Sequence, residues 1–222
     1  MVRRRSKEEA ARETSGRPFK VSVTKRRVAT VTARTPNRVR IIGGSWKRTP
    51  LAVADVHGLR PTPDRVRETL FNWIEHLIPA LEAVRALDLF AGTGALGFEL
   101  ASRGALRVTL VENSRRVADQ LAQTKHKLAA DQIDIITGDA LSAAAQWSDA
   151  SFEIVFVDPP FNSSLLTPAL ATAARLIAPN GLIYVESGTA IDEALLQRHR
   201  LQMARESHAG RVHFYLLTRD SA

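Results

Sequence analysis

The sequence ALDLFAGTGALG at residues 86–97 combines a short apolar run, a glycine-rich loop and the start of an apolar helical segment. We therefore predict a strand, a tight loop and a helix in this order. Gly92, Gly94 and Gly97 match the G-x-G-x-x-G pattern, whose glycines let the backbone turn sharply and approach a ligand. The pattern predicts a nucleotide-type cofactor, and both NAD and S-adenosylmethionine remain open at this point.

Acidic residues lie at the ends of three successive apolar runs, because Asp88 and Glu112 end the first two and Asp139 follows the third. The carboxyl ends of parallel strands open onto one crevice, so these acids should lie near one another. Glu112 suits ribose hydroxyls and Asp139 suits an adenine amine, which favours S-adenosylmethionine. The predicted cofactor-binding residues are Asp88, Gly92, Thr93, Gly94, Glu112, Asp139 and Ala140.

A second motif, DPPF at residues 158–161, directly follows the apolar run at residues 154–157. An aromatic exocyclic amine is a poor nucleophile because its lone pair is delocalised into the ring. Asp158 and the carbonyl of Pro159 can each accept one of its N–H groups, and the two prolines restrict the backbone that presents them. An aromatic ring offers a face for stacking a base. The motif predicts methylation of an amino group on a nucleic acid, with four catalytic residues: Asp158, Pro159, Pro160 and Phe161.

Strand-like and helix-like segments alternate along the chain, which is typical of a parallel sheet with helices on both faces. The predicted strands lie near residues 85–90, 107–112, 132–137, 152–157 and 181–187, and the helices near 95–103, 114–130, 140–147, 164–178 and 190–198. Two further strand-like runs, at residues 201–207 and 212–218, are joined too closely for anything but an antiparallel pair. We predict an α/β, Rossmann-like class I S-adenosylmethionine-dependent methyltransferase fold, with a mixed seven-stranded sheet and an antiparallel C-terminal hairpin.

Charge is distributed unevenly, because residues 1–40 carry 13 Lys and Arg against 3 acids and the remainder carries 18 against 20. We predict a basic, disordered extension at residues 1–37 and a methyltransferase domain at residues 38–222. Polycationic segments bind phosphate backbones, so Lys25, Arg26 and Arg27 are candidate RNA contacts.

The first part of the predicted domain, residues 38–80, should hold a hairpin over 38–54 and a helix over 63–78, capped by Thr62 or Asp64. The Rossmann-like core should then occupy residues 81–222.

Three blocks carry a family resemblance: RIIGG at residues 40–44, LRPTPDRVRETLFNW at 59–73 and YVES at 184–187. Together with the motifs above, they resemble the RsmD family of 16S ribosomal RNA guanine methyltransferases over about residues 38–219. The resemblance implies transfer of a methyl group from S-adenosylmethionine to the N2 amine of a guanine. It also implies 16S rRNA as the partner, within the small ribosomal subunit or an assembly intermediate. Further candidates for RNA contact in the second block are Arg60, Thr62 and Arg65.

The chain contains no cysteine, and its six histidines show no metal-ligand spacing, so we expect no metal. It also has no apolar run of the roughly 18–20 residues that span a bilayer. We expect a cytoplasmic, monomeric protein.

Three alternatives remain open. An adenine-N6 methyltransferase acting on DNA or RNA would use the same motif at residues 158–161. A nicotinamide-dependent oxidoreductase would share the glycine loop, but its chemistry does not require the motif at residues 158–161. A noncatalytic ribosome-assembly factor would bind RNA through the basic extension, and the acids at the strand ends argue against it.

Overall fold

A computed structural model of the protein describes residues 39–52, 62–161 and 163–220. All of them belong to one compact unit, Thr35–Ala222. The predicted basic extension at residues 1–37, with Lys25, Arg26 and Arg27, lies outside the described residues, as does Arg60. The proposed boundaries of the domains therefore stay predictions.

The sheet at the centre of the fold has seven strands in the order β5-β4-β3-β6-β7-β9-β8. Strands β3 to β7 are parallel, and β9 pairs antiparallel with both β7 and β8. A separate antiparallel pair, β1 and β2, forms the N-terminal hairpin. The strands are β1 Val39–Arg40, β2 Pro50–Leu51, β3 Arg85–Asp88, β4 Arg107–Glu112, β5 Ile133–Thr137, β6 Phe152–Val157, β7 Ile177–Ser187, β8 Leu201–Ala209 and β9 Val212–Arg219. The predicted mixed sheet with its antiparallel C-terminal hairpin is confirmed.

Helices cover both faces of this sheet, as the apolar strands require. They are α1 Asp64–Leu77, α2 Ala95–Ser102, α3 Arg115–Leu128, α4 Ala140–Ala144, α5 Leu166–Leu176 and α6 Glu193–Arg198, with a 3-10 turn at Leu81–Ala83. Side chains of α1, α2 and α3 pack in one apolar cluster, and those of α4, α5 and α6 pack in another. Strands β4 and β5 are added on one side of β3, and β6 and β7 are added on its other side. The point between β3 and β6 where the strand order switches leaves a crevice at the carboxyl ends of the strands.

Two local predictions are wrong. The strand expected from residue 181 begins at Ile177, since Pro179 disfavours helical geometry at the residue before it and ends α5 early. The pairing of β7 with β6 then shifts register between Phe152 and Ile154, an irregularity that alternation alone does not predict. Neither Thr62 nor Asp64 caps α1, whose N-cap position is Pro63 with no side-chain hydrogen bond.

A buried charge network fastens the N-terminal hairpin to the sheet domain. Glu99, fully buried on α2, accepts from the backbone N–H groups of Ile42 (2.6 Å) and Gly43 (2.8 Å). It also accepts from Nε of Arg103 (2.8 Å) and lies 3.7 Å from Nη1 of Arg67, which is fully buried. A buried cation needs such a counter-charge, because desolvation otherwise disfavours the charged form.

We predict that Glu99→Gln lowers the free energy of unfolding by about 3–5 kcal/mol, because the buried Arg67 loses an anionic neighbour. Urea denaturation measures the change. The matched control is Glu75→Gln: Glu75 pairs with the same Arg103 but is 47% exposed, so its loss should cost about 0–1 kcal/mol. Equal effects of the two substitutions would contradict this interpretation.

Candidate active site

A cavity of about 390 Å³ opens at the carboxyl ends of β3, β4, β5 and β6. Most of the predicted site residues line it, although they are far apart in sequence: Thr62, Asp88, Gly92, Thr93, Glu112, Asp139, Ala140, Asp158, Pro159, Pro160 and Phe161. Gly94 and Arg65 do not line the cavity. Arg65 is exposed on the first turn of α1.

The glycine loop is shaped by steric needs at two positions. Gly94 is the N-cap of α2 with a φ of +74°, and a Cβ there would lie 2.6 Å from the Phe98 ring and 2.7 Å from Leu121. A Cβ at Gly97 would collide with the side chain of Leu110 on β4. These glycines therefore let α2 pack tightly on the sheet, while Gly92 and Thr93 face the cavity.

Glu112 connects the glycine loop to the start of α3. Its Oε2 accepts from the backbone N–H of Gly92 (2.9 Å), and its Oε1 accepts from that of Ser114 (2.7 Å). The carboxylate thus holds two loops in place at the cavity wall.

Asp139 is exposed and acts as the N-cap of α4, accepting from the backbone N–H of Ser142 (2.8 Å). This hydrogen bond lowers the pKa of the Asp139 carboxyl, which is therefore ionised at neutral pH. Ala140 is buried beside it and completes this part of the cavity wall.

The DPPF motif forms the opposite wall. Pro159 is buried, and Phe161 is 41% exposed, a large fraction for an aromatic ring. Ser163 donates from its backbone N–H to the Pro160 carbonyl (3.0 Å) and from its hydroxyl to the same oxygen (2.6 Å), closing a turn. The motif therefore presents a ring face at the mouth of the cavity.

Carboxyl groups from three neighbouring strands lie close together here: Asp88 and Asp158 line the cavity, and the buried Glu186 lies on the strand next to that of Asp158. Asp88 ends β3, Asp158 follows β6, and Glu186 lies near the end of β7; the sheet places these strands side by side. Burial raises the pKa of Asp88 to about 7. Burial also raises the pKa of Asp158 well above its usual range, and the negative charges of Glu186 and Asp88 add to the effect.

The position of Glu186 in this group of acids was not predicted from the sequence. Its Oε1 accepts from the hydroxyls of Thr62 (2.7 Å) and Tyr184 (2.8 Å). Thr62, a predicted RNA contact, lines the cavity and donates its hydroxyl to this buried acid. An acid at the end of the apolar run before Ser187 was the available signal.

A model of the family described as Conserved hypothetical protein 95 matches residues 39–218. The chain belongs to this family. The Escherichia coli (strain K12) protein named Ribosomal RNA small subunit methyltransferase D is 43% identical over 190 aligned positions, and the match covers 83% of this chain and 91% of that protein. A Haemophilus influenzae protein of the same name is 40% identical over 190 aligned positions, and this match covers 82% of this chain and 96% of that protein.

The solved structure of the Escherichia coli protein yhhF, described as a methyltransferase, matches with a TM-score of 0.70 at 39% identity. The match covers 83% of this chain and 99% of that one. The predicted family and fold are confirmed. This member of the Conserved hypothetical protein 95 family is an S-adenosylmethionine-dependent methyltransferase.

The cavity of this family member fits a cationic methyl donor. Asp88 is 2% exposed and lines the cavity, yet its Oδ1 has no hydrogen-bond partner among the described residues. An unsatisfied buried carboxylate oxygen is unfavourable, and a bound ammonium or sulfonium group would relieve it. In the described part of the chain, no group of His, Asp and Glu side chains could hold a metal ion, and no helix is long and apolar enough to cross a membrane.

We predict that the stability of the free protein falls as pH rises from about 4 to about 7, in part because of Asp88. The folded-state pKa of about 7 exceeds the usual pKa of 3.8 for an aspartate, so the folded protein binds the extra proton in this window. The contribution is on the order of a few kcal/mol, at about 1.4 kcal/mol per pKa unit.

Asp88→Asn removes this titration. Its stability relative to the unmodified protein should therefore increase through the same window and level off above about pH 7. Urea denaturation at several pH values measures the difference, and S-adenosylmethionine binding should weaken in the same variant. A difference in stability that does not change with pH would contradict the assignment.

Proposed function

We propose that this protein transfers a methyl group from S-adenosylmethionine to the exocyclic N2 amine of a guanine in 16S rRNA. The observation that supports the proposal best is the DPPF wall at residues 158–161, which lines the same cavity as the acids of β3 and β4. An acceptor for an amine and a stacking face thus lie beside a site suited to a cationic donor. The relatives named Ribosomal RNA small subunit methyltransferase D supply the class of substrate.

The cofactor-binding residues of this proposal are the loop Gly92–Thr93 and the acids around it. Glu112 is suited to the ribose hydroxyls, and Asp139 with Ala140 to the adenine. Asp88 is suited to a positive charge, because it offers a buried oxygen that lacks a partner among the described residues. S-adenosylmethionine supplies, when bound, a methyl group activated by a sulfonium centre.

The residues of the DPPF motif position the amine. Asp158 and the Pro159 carbonyl accept its two N–H groups, which directs the nitrogen lone pair toward the methyl group. Phe161 stacks on the guanine, an interaction of about 1–3 kcal/mol per base. Since orientation alone can supply several kcal/mol of barrier reduction, no strong base is required before the methyl group moves.

The substrate must present its guanine unstacked, because an enzyme cannot enclose a base that remains within a helix. We infer that the small ribosomal subunit or an assembly intermediate presents it. The proposed RNA contacts are Arg60, Thr62 and Arg65, together with the basic residues Lys25, Arg26 and Arg27. We further propose that residues 1–37 are a separate extension and that the enzyme works as a cytoplasmic monomer.

We predict that Asp158→Ala lowers kcat by roughly 10²–10³-fold, as expected for the loss of one oriented polar group, and leaves S-adenosylmethionine affinity unchanged. The assay follows labelled methyl transfer to small subunits from a strain lacking the protein. Nucleoside mass spectrometry then identifies the product, expected to be N2-methylguanosine. Asp149→Ala is the matched control, because Asp149 is 75% exposed and pairs with Arg175.

Each alternative has its own outcome. Detection of methyladenosine would show that the target base is adenine and not guanine. Binding of subunits by the unmodified protein without transfer would support an assembly factor. Full turnover by Asp158→Ala would remove Asp158 from the proposed mechanism.

A further inference from the structure

Glu186 is a buried carboxyl group to which the proposed mechanism gives no part. Its exposed fraction is 3%, and it lies on β7 beside β6, the strand that leads to Asp158. Val157 and Val185 are paired in register, so Asp158, which directly follows β6, and Glu186 on β7 are the next residues along the two chains. Glu186 therefore lies beside Asp158, behind the wall of the cavity.

The hydroxyl of Thr62 joins these two carboxyl groups. It donates to Oε1 of Glu186 (2.7 Å), and it also lies within hydrogen-bond reach of Asp158. A hydroxyl has one proton to donate and two lone pairs that accept. While Thr62 donates to Glu186, it can only accept from Asp158, which must then carry a proton. When it turns to donate to an ionised Asp158, Glu186 loses this donor.

We propose that Asp158 and Glu186 share one proton through the Thr62 hydroxyl, and that this proton lies on Glu186 while Asp158 accepts the amine. Glu186 is thus a positioning residue that acts through Asp158. The inference rests on the proposed role of Asp158 at the amine. It adds a residue outside the DPPF motif to the machinery of methyl transfer.

The bond changes of the transfer leave Asp158 one proton to accept. A C–N bond forms on the amine, and the C–S bond of the donor breaks with its electron pair left on sulfur. The nitrogen then carries one proton too many and a positive charge. An ionised Asp158 accepts that proton and releases it to solvent through the open cavity, while the proton on Glu186 stays in place.

The electrostatics of the site agree with a shared proton. The titratable groups that act on Asp158 are Glu186 on β7 and Asp88 on β3, and both raise its pKa. Two neighbouring buried carboxyl groups cannot both ionise at low cost, so they titrate as a pair. Tyr184, whose pKa burial raises well above its usual range, stays a neutral donor to Glu186 at 2.8 Å.

The test compares two near-isosteric substitutions that should move opposite limbs of the pH profile of kcat. Glu186→Gln imitates the protonated acid and cannot lose its proton, so the alkaline limb, at which Glu186 ionises and takes the Thr62 hydroxyl from Asp158, should move to higher pH by about one unit or more. Thr62→Val keeps the Glu186 carboxyl and removes the hydroxyl that supports an ionised Asp158, so the acidic limb should move to higher pH. Glu206→Gln, at an exposed position of β8, is the matched control and should move neither limb.

Titration of the free protein provides a readout independent of turnover. The ¹³C resonance of the Asp158 carboxyl carbon, assigned by its loss in Asp158→Asn, should titrate at lower pH in Glu186→Gln and at higher pH in Thr62→Val. A purely structural role for Glu186 predicts lost stability and lost activity in both variants, with unmoved titration. That result, or shifts in the same direction, would overturn the proposal.

If Glu186→Gln does not fold, Tyr184→Phe replaces it. Loss of this donor favours the proton on Glu186, so the alkaline limb should again move to higher pH, and an unmoved limb would overturn the proposal. The proposed role of Asp158 and the proposed role of Glu186 can be refuted by different results. Full turnover by Asp158→Ala would refute the former, whereas a large loss in Asp158→Ala with unmoved profiles in the Glu186 and Thr62 variants would refute only the latter.

Discussion

The site depends on one electrostatic constraint: several carboxyl groups are held close together in a partly dry cleft. Parallel strands bring this about, since their carboxyl ends converge on one edge of the sheet. Burial and mutual repulsion raise the pKa values of Asp88 and Asp158. These acids therefore reduce the stability of the free protein at the place where a positively charged ligand would bind. The arrangement favours binding over stability.

The rest of the fold supports this arrangement by making the strand ends rigid. Apolar clusters cover both faces of the sheet, so β3, β6 and β7 cannot move apart to separate their acids. Hydrogen bonds from backbone N–H groups hold Glu112 and Asp139, which lie toward the other side of the cavity. The acids thus divide into two sets. Glu112 and Asp139 hold the loops of the cavity wall, whereas Asp88 and Asp158 have pKa values that burial and neighbouring charges raise.

Much of this could be predicted from sequence because the signals are local. Alternating strands and helices indicated the sheet, and the glycine loop and DPPF motif indicated its functional edge. The contacts of Glu186 and Glu99 could not be predicted, since each acid binds partners far along the chain. Thr62 lies 124 residues from Glu186, and Ile42 lies 57 from Glu99. The early start of β7 was missed because residues after a helix can pair without alternating polarity.

The attachment of the N-terminal hairpin has a mechanical consequence. Helix α2 follows its N-cap Gly94 in the glycine loop, and its last turns bind the hairpin through Glu99 and Ser102. The hydroxyl of Ser102 donates to the Gly43 carbonyl (2.6 Å) and accepts from the Trp46 N–H (2.9 Å). Hairpin, helix and loop are therefore joined into one rigid unit. Any molecule that binds to the hairpin is held at a set distance from the glycine loop.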